Sequence, residues 1–293
     1  MDTIELKNVS LEAIEHNNSL TYKIENLKPS PNQTAIWWMG QSGFIVRFGN
    51  SILCLDPYLS TRLEKITENK PRTKHVRMIP IPVIPSALRN IDYIICSHNH
   101  GDHFDPDTVI PILGSNPHSK LIIPPAATES AVKWGINRQC IIPVGVGDKW
   151  GLDEFEIQAV IAKHNEFDYS IETGYPYVGY IIKFQGITLY HAGDTIYFDE
   201  LPDMLADFNI DIALLPINGG DRDRIERGFM SNMQFWESAD LAARLKVKLV
   251  IPTHFNMFTI NTENIERFEY YMNRKYPEIK YVVPKIGEAI VFP

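Results

Sequence analysis

Residues 96–105 read CSHNHGDHFD and follow the apolar segment IDYIIC. Three histidines and two aspartates fall within eight positions here, although the chain has nine histidines in all. A polar surface loop would account for this stretch taken alone. We therefore ask whether its spacing, and what lies elsewhere in the chain, favour a metal site instead.

The order of residues inside HNHGDH suits two neighbouring metal positions. His98 and His100 are two residues apart, so in extended chain they point the same way and can share one ion. Gly101 permits a sharp turn. Asp102 and His103 then lie on the new chain direction, where they can face a second ion.

Four further histidines or aspartates follow apolar segments that the pattern predicts to be strands. Because ligands in α/β proteins usually bind beyond the carboxyl ends of strands, we expect these side chains to converge with the HNHGDH segment. One such coincidence would mean little, but several together indicate one site. The residues are Asp56 after SILCL, His164 after IQAVIAK, Asp194 after ITLYHAG and His254 after LVIPT.

Imidazole and carboxylate groups suit zinc or manganese, and iron is also compatible. The three cysteines, Cys54, Cys96 and Cys140, are scattered and form neither a disulfide framework nor a thiolate zinc motif. We therefore predict one or two divalent ions per chain in an open site rather than a closed structural one.

Composition limits the other functions. The chain has 293 residues and a net charge of −8, which disfavours binding to a nucleic acid backbone. The N-terminal segment MDTIELKNVSLEAIEHNN lacks the basic start and apolar run of a signal peptide, and no apolar segment has the length of a membrane span. We expect a cytoplasmic protein that acts on a small molecule and has no nucleic acid or membrane partner.

The predicted elements alternate short strands with a few helices in each half of the chain. Hairpin turns are predicted at Gly49-Asn50 and Gln185-Gly186, and helices at 106–114, within ATESAVKWG, and around 232–246. This pattern predicts two sheets packed face to face with helices outside, a four-layer αββα sandwich.

Two segments are predicted to differ from that pattern. Residues 1–33, which end in KPSPNQ, are predicted to be an N-terminal arm and linker with a short helix after Ser10, and residues 34–293 a single domain. The arm is a candidate contact in a homo-oligomer. Residues 57–90 are predicted to be irregular, since prolines at 80, 82 and 85 forbid a regular helix there.

The ordered set of Asp56, HNHGDH, His164, Asp194 and His254 resembles the metallo-β-lactamase superfamily of αββα metallohydrolases. The resemblance implies one metal on His98, His100 and His164, and a second on Asp102, His103 and His254, with Asp194 bridging. It further implies that Asp56 orients a ligand histidine. His191, three residues before Asp194, is expected to pack behind the ligands in the same way.

A narrower resemblance extends from Trp37 to Phe255 and includes WMGQSGFIVRFGNSILCLDPY, LYHAGDT and VKLVIPTHF. These segments are similar to the L-ascorbate-6-phosphate lactonase branch. That branch implies a metal-held hydroxide that attacks a small phosphorylated lactone or sugar-acid ester. Asp102 would be the catalytic residue, orienting the hydroxide or taking its proton.

The segment 62–77 carries six basic residues against two acidic ones. It follows Asp56 and so starts at the rim of the predicted site. A solvated loop and an anion-binding role are both open interpretations. If the substrate is anionic, Arg72 and Arg77 are the candidates to hold its phosphate.

Other activities remain open at this point. SHNHGDH also resembles phospholipase-D-like phosphodiesterases of the same superfamily, and a two-metal site suits in-line displacement. A di-iron redox domain is an alternative of another class, but its second motif histidine is expected to be Glu, where this chain has His100. A non-catalytic metal scaffold is disfavoured because structural sites are usually closed and rich in cysteine.

Overall fold

The computed structural model describes the backbone from Asn17 to Pro293 and the side chains from Leu20 onward. The short helix predicted after Ser10 lies outside the described residues. Within residues 17–293, no helix is long and apolar enough to cross a membrane.

Fourteen strands form within the described residues. They are β1 Thr34–Gly40, β2 Gly43–Phe48, β3 Ser51–Leu55, β4 Tyr93–Ile95, β5 Lys120–Ile123, β6 Ile141–Pro143, β7 Lys149–Leu152, β8 Phe155–Ile161, β9 Val178–Phe184, β10 Ile187–His191, β11 Ile212–Pro216, β12 Leu249–Thr253, β13 Lys280–Tyr281 and β14 Ala289–Phe292.

The strands make two seven-stranded sheets, in the orders β14-β1-β2-β3-β4-β5-β6 and β13-β12-β11-β10-β9-β8-β7. Each sheet has an antiparallel part. It consists of β14, β1, β2 and β3 in the first sheet, and of β7, β8, β9 and β10 in the second. Each also has a parallel part, from β3 to β6 and from β10 to β13. In each half of the chain, antiparallel strands are thus followed by parallel strands.

The helices of the same part of the chain are α1 Asn17–Asn26, α2 Arg62–Thr67, α3 Pro106–Ser115, α4 Thr128–Lys133, α5 Leu201–Ala206, α6 Arg222–Glu226, α7 Phe235–Arg244 and α8 Ile265–Lys275. Single 3-10 turns occur at Pro85–Ala87, Pro125–Ala127 and Arg138–Cys140.

Strand alternation divides the apolar residues between two core layers. Ile36, Trp38 and Val46 face the second sheet, whereas Ala35 and Trp37 face α1, α3 and α4. Helices α5, α7 and α8 cover the other face of the second sheet. The predicted four-layer αββα sandwich is therefore confirmed.

Aromatic pairs join the sheets across the central layer. Phe48 stacks on Phe184 with ring centroids 4.0 Å apart, and Trp38 stacks on Phe255 at 4.9 Å. Such pairs favour a fixed relation between the sheets beyond what area burial supplies. The site at the strand ends is therefore built on a rigid frame.

Most predicted local elements are present, with one clear correction. The Gly49-Asn50 and Gln185-Gly186 turns join β2 to β3 and β9 to β10, and α3, α4 and α7 lie where helices were predicted. The prediction that 57–90 is wholly irregular was wrong, because α2 lies in it. The prolines at 80, 82 and 85 are all downstream of α2 and do not restrict it.

The predicted N-terminal arm packs on the domain where it is described. Leu20 and Ile24 of α1 lie in the apolar layer beneath the first sheet. Arg47 of β2 donates hydrogen bonds to the carbonyl oxygens of Ile24 and Glu25, at 2.5 and 2.6 Å. The boundary at residue 33 stays a prediction.

Candidate metal centre

Five strands end at the same edge of the sandwich and deliver the polar residues that the sequence singled out. Asp56 follows β3 directly, and His254 follows β12. Both residues adopt positive φ, at 38° and 61°. Backbone in this region is unfavourable for non-glycine residues and often marks a functional site.

The residues form two groups, and within each group one donor atom from every residue lies within 4.8 Å of the others. The first is His98, His100, His164 and Asp194, and the second is Asp102, His103 and His254. The structure thus brings together all seven of the residues for which ligation is predicted.

Asp194 lies between the two groups. Its Oδ1 is 3.2 Å from Nε2 of His103, and its Oδ2 is 3.2 Å from Nε2 of His254 and 3.7 Å from Nε2 of His164. One carboxylate therefore touches the imidazoles of both groups, which is the position that a bridging ligand requires.

The HNHGDH segment makes the turn that its glycine suggested. The backbone N–H groups of His103 and Phe104 both donate to the carbonyl of His100. A Cβ on Gly101 would lie 3.0 Å from Cδ2 of Leu63, so glycine also permits the close approach of α2. Asp105, at the end of the segment, instead caps α3 through Asp107 N–H.

Asp56 is fully buried and orients its neighbours. Its Oδ2 accepts from Nδ1 of His103 at 2.7 Å and from Nε2 of His191 at 2.8 Å, and its two oxygens also accept from N–H and Oγ–H of Ser97. Burial alone would raise the pKa of Asp56, but the charges and hydrogen bonds of the two imidazoles lower it overall. The carboxylate holds His103 so that Nε2 points to the donor cluster.

Two histidines of the first group are oriented in the same manner. Nδ1 of His164 lies 3.0 Å from the Ser231 carbonyl, and Nδ1 of His98 lies 2.9 Å from Oγ of Ser97. A proton on Nδ1 leaves Nε2 with a free lone pair in each ring.

Three atoms of the cluster are buried and have no hydrogen-bond partner among the described residues: Nε2 of His98, Nε2 of His103 and Oδ1 of Asp194. Buried polar atoms without partners are costly, so convergent ones indicate a cation. Burial lowers the pKa of His164 to about 4 and that of His98 well below its ordinary value. These rings are therefore neutral at pH 7, which is the form that ligates a metal.

The second group attracts positive charge. Burial opposes charge on His103, yet the carboxylates of Asp194, Asp102 and Asp56 raise its pKa well above the ordinary value. Three carboxylates in one buried cluster require compensation. The donor set therefore fits divalent cations.

Gln41 belongs to this site, although the sequence reasoning did not select it. Its Nε2 donates to Oδ2 of Asp102 at 2.7 Å and lies 3.0 Å from Nε2 of His254. Gln41 has φ of 52° and directly follows Gly40, the last residue of β1. A polar residue next to a glycine at the end of a buried strand was the sequence feature that could have identified it.

A cavity of about 260 Å³ opens onto the donor cluster. Residues from three distant segments form its opposite wall: Leu63, His75, Gly228, Phe229, Met230 and Asn261. No sequence pattern predicts this wall, because its members come from a helix and loops with no shared motif.

The two arginines proposed for substrate binding are not among the residues that line this cavity. Arg77 donates to the carbonyls of Ser60 and Ile79 and lies over the ring of Tyr58, with its guanidinium carbon 5.2 Å from the centroid. Arg72 is exposed, 3.5 Å from the carbonyl oxygen of Glu226.

Residues 53–255 match the family model described as a beta-lactamase superfamily domain. The chain belongs to this superfamily and is a hydrolase with the metallo-β-lactamase fold.

Among curated proteins, the chain is similar to the probable L-ascorbate-6-phosphate lactonase UlaG of Escherichia fergusonii. The two are 24% identical, over 89% of this chain and 80% of the relative. Among solved structures, Igni18, a metallo hydrolase from Ignicoccus hospitalis, has a TM-score of 0.66 and 22% identity, over 89% of this chain and 99% of the other.

A third protein, similar in fold, shows that the fold alone does not determine the reaction. CmlA of Streptomyces venezuelae is a diiron beta-hydroxylase, with a TM-score of 0.65 and 12% identity, over 90% of this chain and 55% of the other. The chemistry of the present chain has to be argued from its own site.

Proposed function

We propose that the protein hydrolyses a small lactone or carboxylic ester at this centre. The observation that carries the proposal is the position of Asp194, whose carboxylate touches imidazoles of both donor groups beneath a cavity. The curated lactonase relative supports a lactone as the electrophile.

His98, His100 and His164 would hold one ion, and Asp102, His103 and His254 a second, with Asp194 shared between them. We propose zinc or manganese, because imidazole and carboxylate ligands suit both. Divalent ions supply Lewis acidity in such a site, which lowers the pKa of water and polarises a carbonyl oxygen.

Asp102 would handle the proton of the attacking water. It lines the cavity, and its Oδ2 lies 3.6 Å from Nε2 of His254 and 3.8 Å from Nε2 of His103. Although burial raises the pKa of Asp102, the charges of those two histidines lower it overall. The carboxylate is therefore ionised at neutral pH and can accept a proton.

Gln41 keeps the Asp102 carboxylate in this orientation. Its amide donates to the same Oδ2, and its own backbone is fixed because its carbonyl accepts from Trp38 Nε1 and from the N–H of His254. A base that is held in place before the substrate binds loses less entropy in the reaction.

One screen tests the proposal. Protein loaded with zinc or manganese is assayed against lactones, carboxylic esters and phosphodiesters at matched concentrations. We expect turnover of lactones or esters, and a fall of about 10²- to 10⁴-fold in that turnover with Asp102→Asn. Turnover of phosphodiesters alone would instead assign the site to phosphoryl transfer.

A further inference from the structure

Three of the six residues on the cavity wall beside the predicted metal ligands are apolar. Leu63, Phe229 and Met230 lie on this wall, and no lysine or arginine is among the residues that line the cavity. Leu63 also packs on the buried cluster of Tyr58, Met257 and Phe258. The Leu63 side of the wall thus continues a buried apolar cluster, in contrast to the cationic cradle that a phosphate group requires.

Arg224 and Arg77 already have hydrogen-bond partners. Arg224 contacts the lining residue Asn261, with Nη1 3.1 Å from its Oδ1, but Nε of Arg224 lies 2.6 Å from the carboxylate of Asp221. Arg77 is held by two backbone carbonyls and the ring of Tyr58. Moving either guanidinium to a substrate would break existing charge-assisted hydrogen bonds.

His75 and Asn261 are the polar side chains on this wall, and Oδ1 of Asn261 already accepts from Asn218 Nδ2 and Arg224 Nη1. The ring of His75 packs edge-on against Phe258 at 4.7 Å and lies 5.8 Å from the ring of Phe229. Its backbone N–H donates to Oγ1 of Thr67, and its Nδ1 lies 3.0 Å from the Thr73 carbonyl. The ring is therefore held in one orientation.

The bond to Thr73 also fixes the tautomer. Nδ1 must carry the proton to donate to a carbonyl, so Nε2 has a free lone pair. Among the described residues, Nε2 of His75 has no hydrogen-bond partner. Burial lowers the pKa of His75, which keeps the ring neutral at pH 7. An acceptor of fixed orientation thus belongs to a residue that lines the same cavity as the predicted metal ligands.

We propose that the substrate is a compact, uncharged hydroxylated lactone or ester, whose hydroxyl donates to Nε2 of His75 while its carbon skeleton packs on Leu63, Phe229 and Met230. This inference rests on the proposed function and deepens it. A cavity of about 260 Å³ is at the small end for ligand sites, which favours a compact molecule.

Two matched substrate pairs test it with the metal-loaded enzyme. D-glucono-1,5-lactone is compared with its 6-phosphate, and α-hydroxy-γ-butyrolactone with γ-butyrolactone, after subtraction of spontaneous hydrolysis. We expect kcat/KM to be higher for the neutral gluconolactone by about tenfold or more, and higher for the hydroxylated butyrolactone by roughly three- to tenfold.

Variants of His75 assign the hydroxyl preference to its Nε2. His75→Phe keeps an aromatic ring at this position but removes the nitrogen acceptor. The ratio of kcat/KM for the hydroxylated butyrolactone to that for γ-butyrolactone should therefore fall to about one. His75→Gln places an oxygen near the position of Nε2 and should restore part of the preference. His118→Phe, at an exposed histidine outside the cavity, should change nothing.

A binding measurement on the unaltered zinc protein does not depend on the folding of any variant. Addition of 3-hydroxy-2-pyrrolidinone, a lactam that resists hydrolysis, should shift the ¹⁵N resonance of His75 Nε2. An unshifted resonance at saturating lactam would contradict the proposed hydrogen bond.

The outcomes separate the two proposals. If the phosphorylated gluconolactone is turned over equally well or better, the uncharged substrate class is wrong, while lactone hydrolysis stands. If loaded enzyme hydrolyses neither pair, nor any ester, the proposed function is overturned and this inference with it.

Discussion

Asp56 and His103 are both fully buried, and Oδ2 of Asp56 lies 2.7 Å from Nδ1 of His103. The pair links the end of β3 to the turn after β4, although the two residues are 47 positions apart. It determines which nitrogen of His103 faces the donor cluster, so the site depends on a residue that is not itself a proposed ligand.

Asp56→Asn should weaken metal binding and leave the chain folded. The amide keeps the size of the side chain but removes the negative charge that His103 and His191 contact. Loss of such an outer partner typically costs about 10- to 100-fold in metal affinity. Competition against a chromogenic chelator measures the change.

The matched control is Asp211→Asn. Asp211 is also buried and accepts from the N–H of Thr188 at 2.7 Å, but it does not belong to the donor cluster. Its variant should bind metal as the unaltered protein does. Equal affinity of the Asp56 variant and this control would show that Asp56 does not orient a ligand.

Asp102→Asn should lower kcat by about 10²- to 10⁴-fold, the usual contribution of a positioned proton acceptor. Asp102 lies in a turn at the cavity, so the change removes little packing. Steady-state kinetics on the best substrate of the screen gives kcat, and circular dichroism checks the fold. Asp107→Asn, at an exposed carboxylate on α3, serves as the comparison. Near-normal kcat in the Asp102 variant would remove this residue from the reaction.

Arg77→Ala should act on stability. Its guanidinium makes two hydrogen bonds to carbonyls and covers Tyr58, so we expect a loss of about 2 kcal/mol in the free energy of unfolding. Arg72→Ala, at an exposed side chain with one long contact, should stay within about 0.5 kcal/mol. Urea denaturation measures both values. A stable Arg77 variant with a raised KM would instead return Arg77 to the substrate-binding role predicted from the sequence.

The donor cluster could be predicted from the sequence because it follows one physical rule. Asp56, His164, Asp194 and His254 each come shortly after an apolar strand, and parallel strands bring such positions to one edge. The hairpins could also be predicted from the sequence, since Gly49-Asn50 and Gln185-Gly186 are local turn signals.

The cavity wall could not be predicted in this way. His75 and Phe229 meet across more than 150 residues of sequence, and neither belongs to a strand or a motif. Their contact depends on how loops pack over the sheet edge, which periodicity does not encode. The basic composition of 62–77 was ambiguous for a related reason, because charge counts do not tell where an arginine points.

We propose that the seven donor residues hold two divalent ions, and the metal content of the protein decides this. It is measured by elemental analysis of protein purified without chelator and reconstituted with zinc or manganese. We predict about two ions per chain, about one in His98→Ala and in His254→Ala, and unchanged content in His118→Ala. A metal content well below one ion per chain after reconstitution, or full content in both ligand variants, would contradict the account.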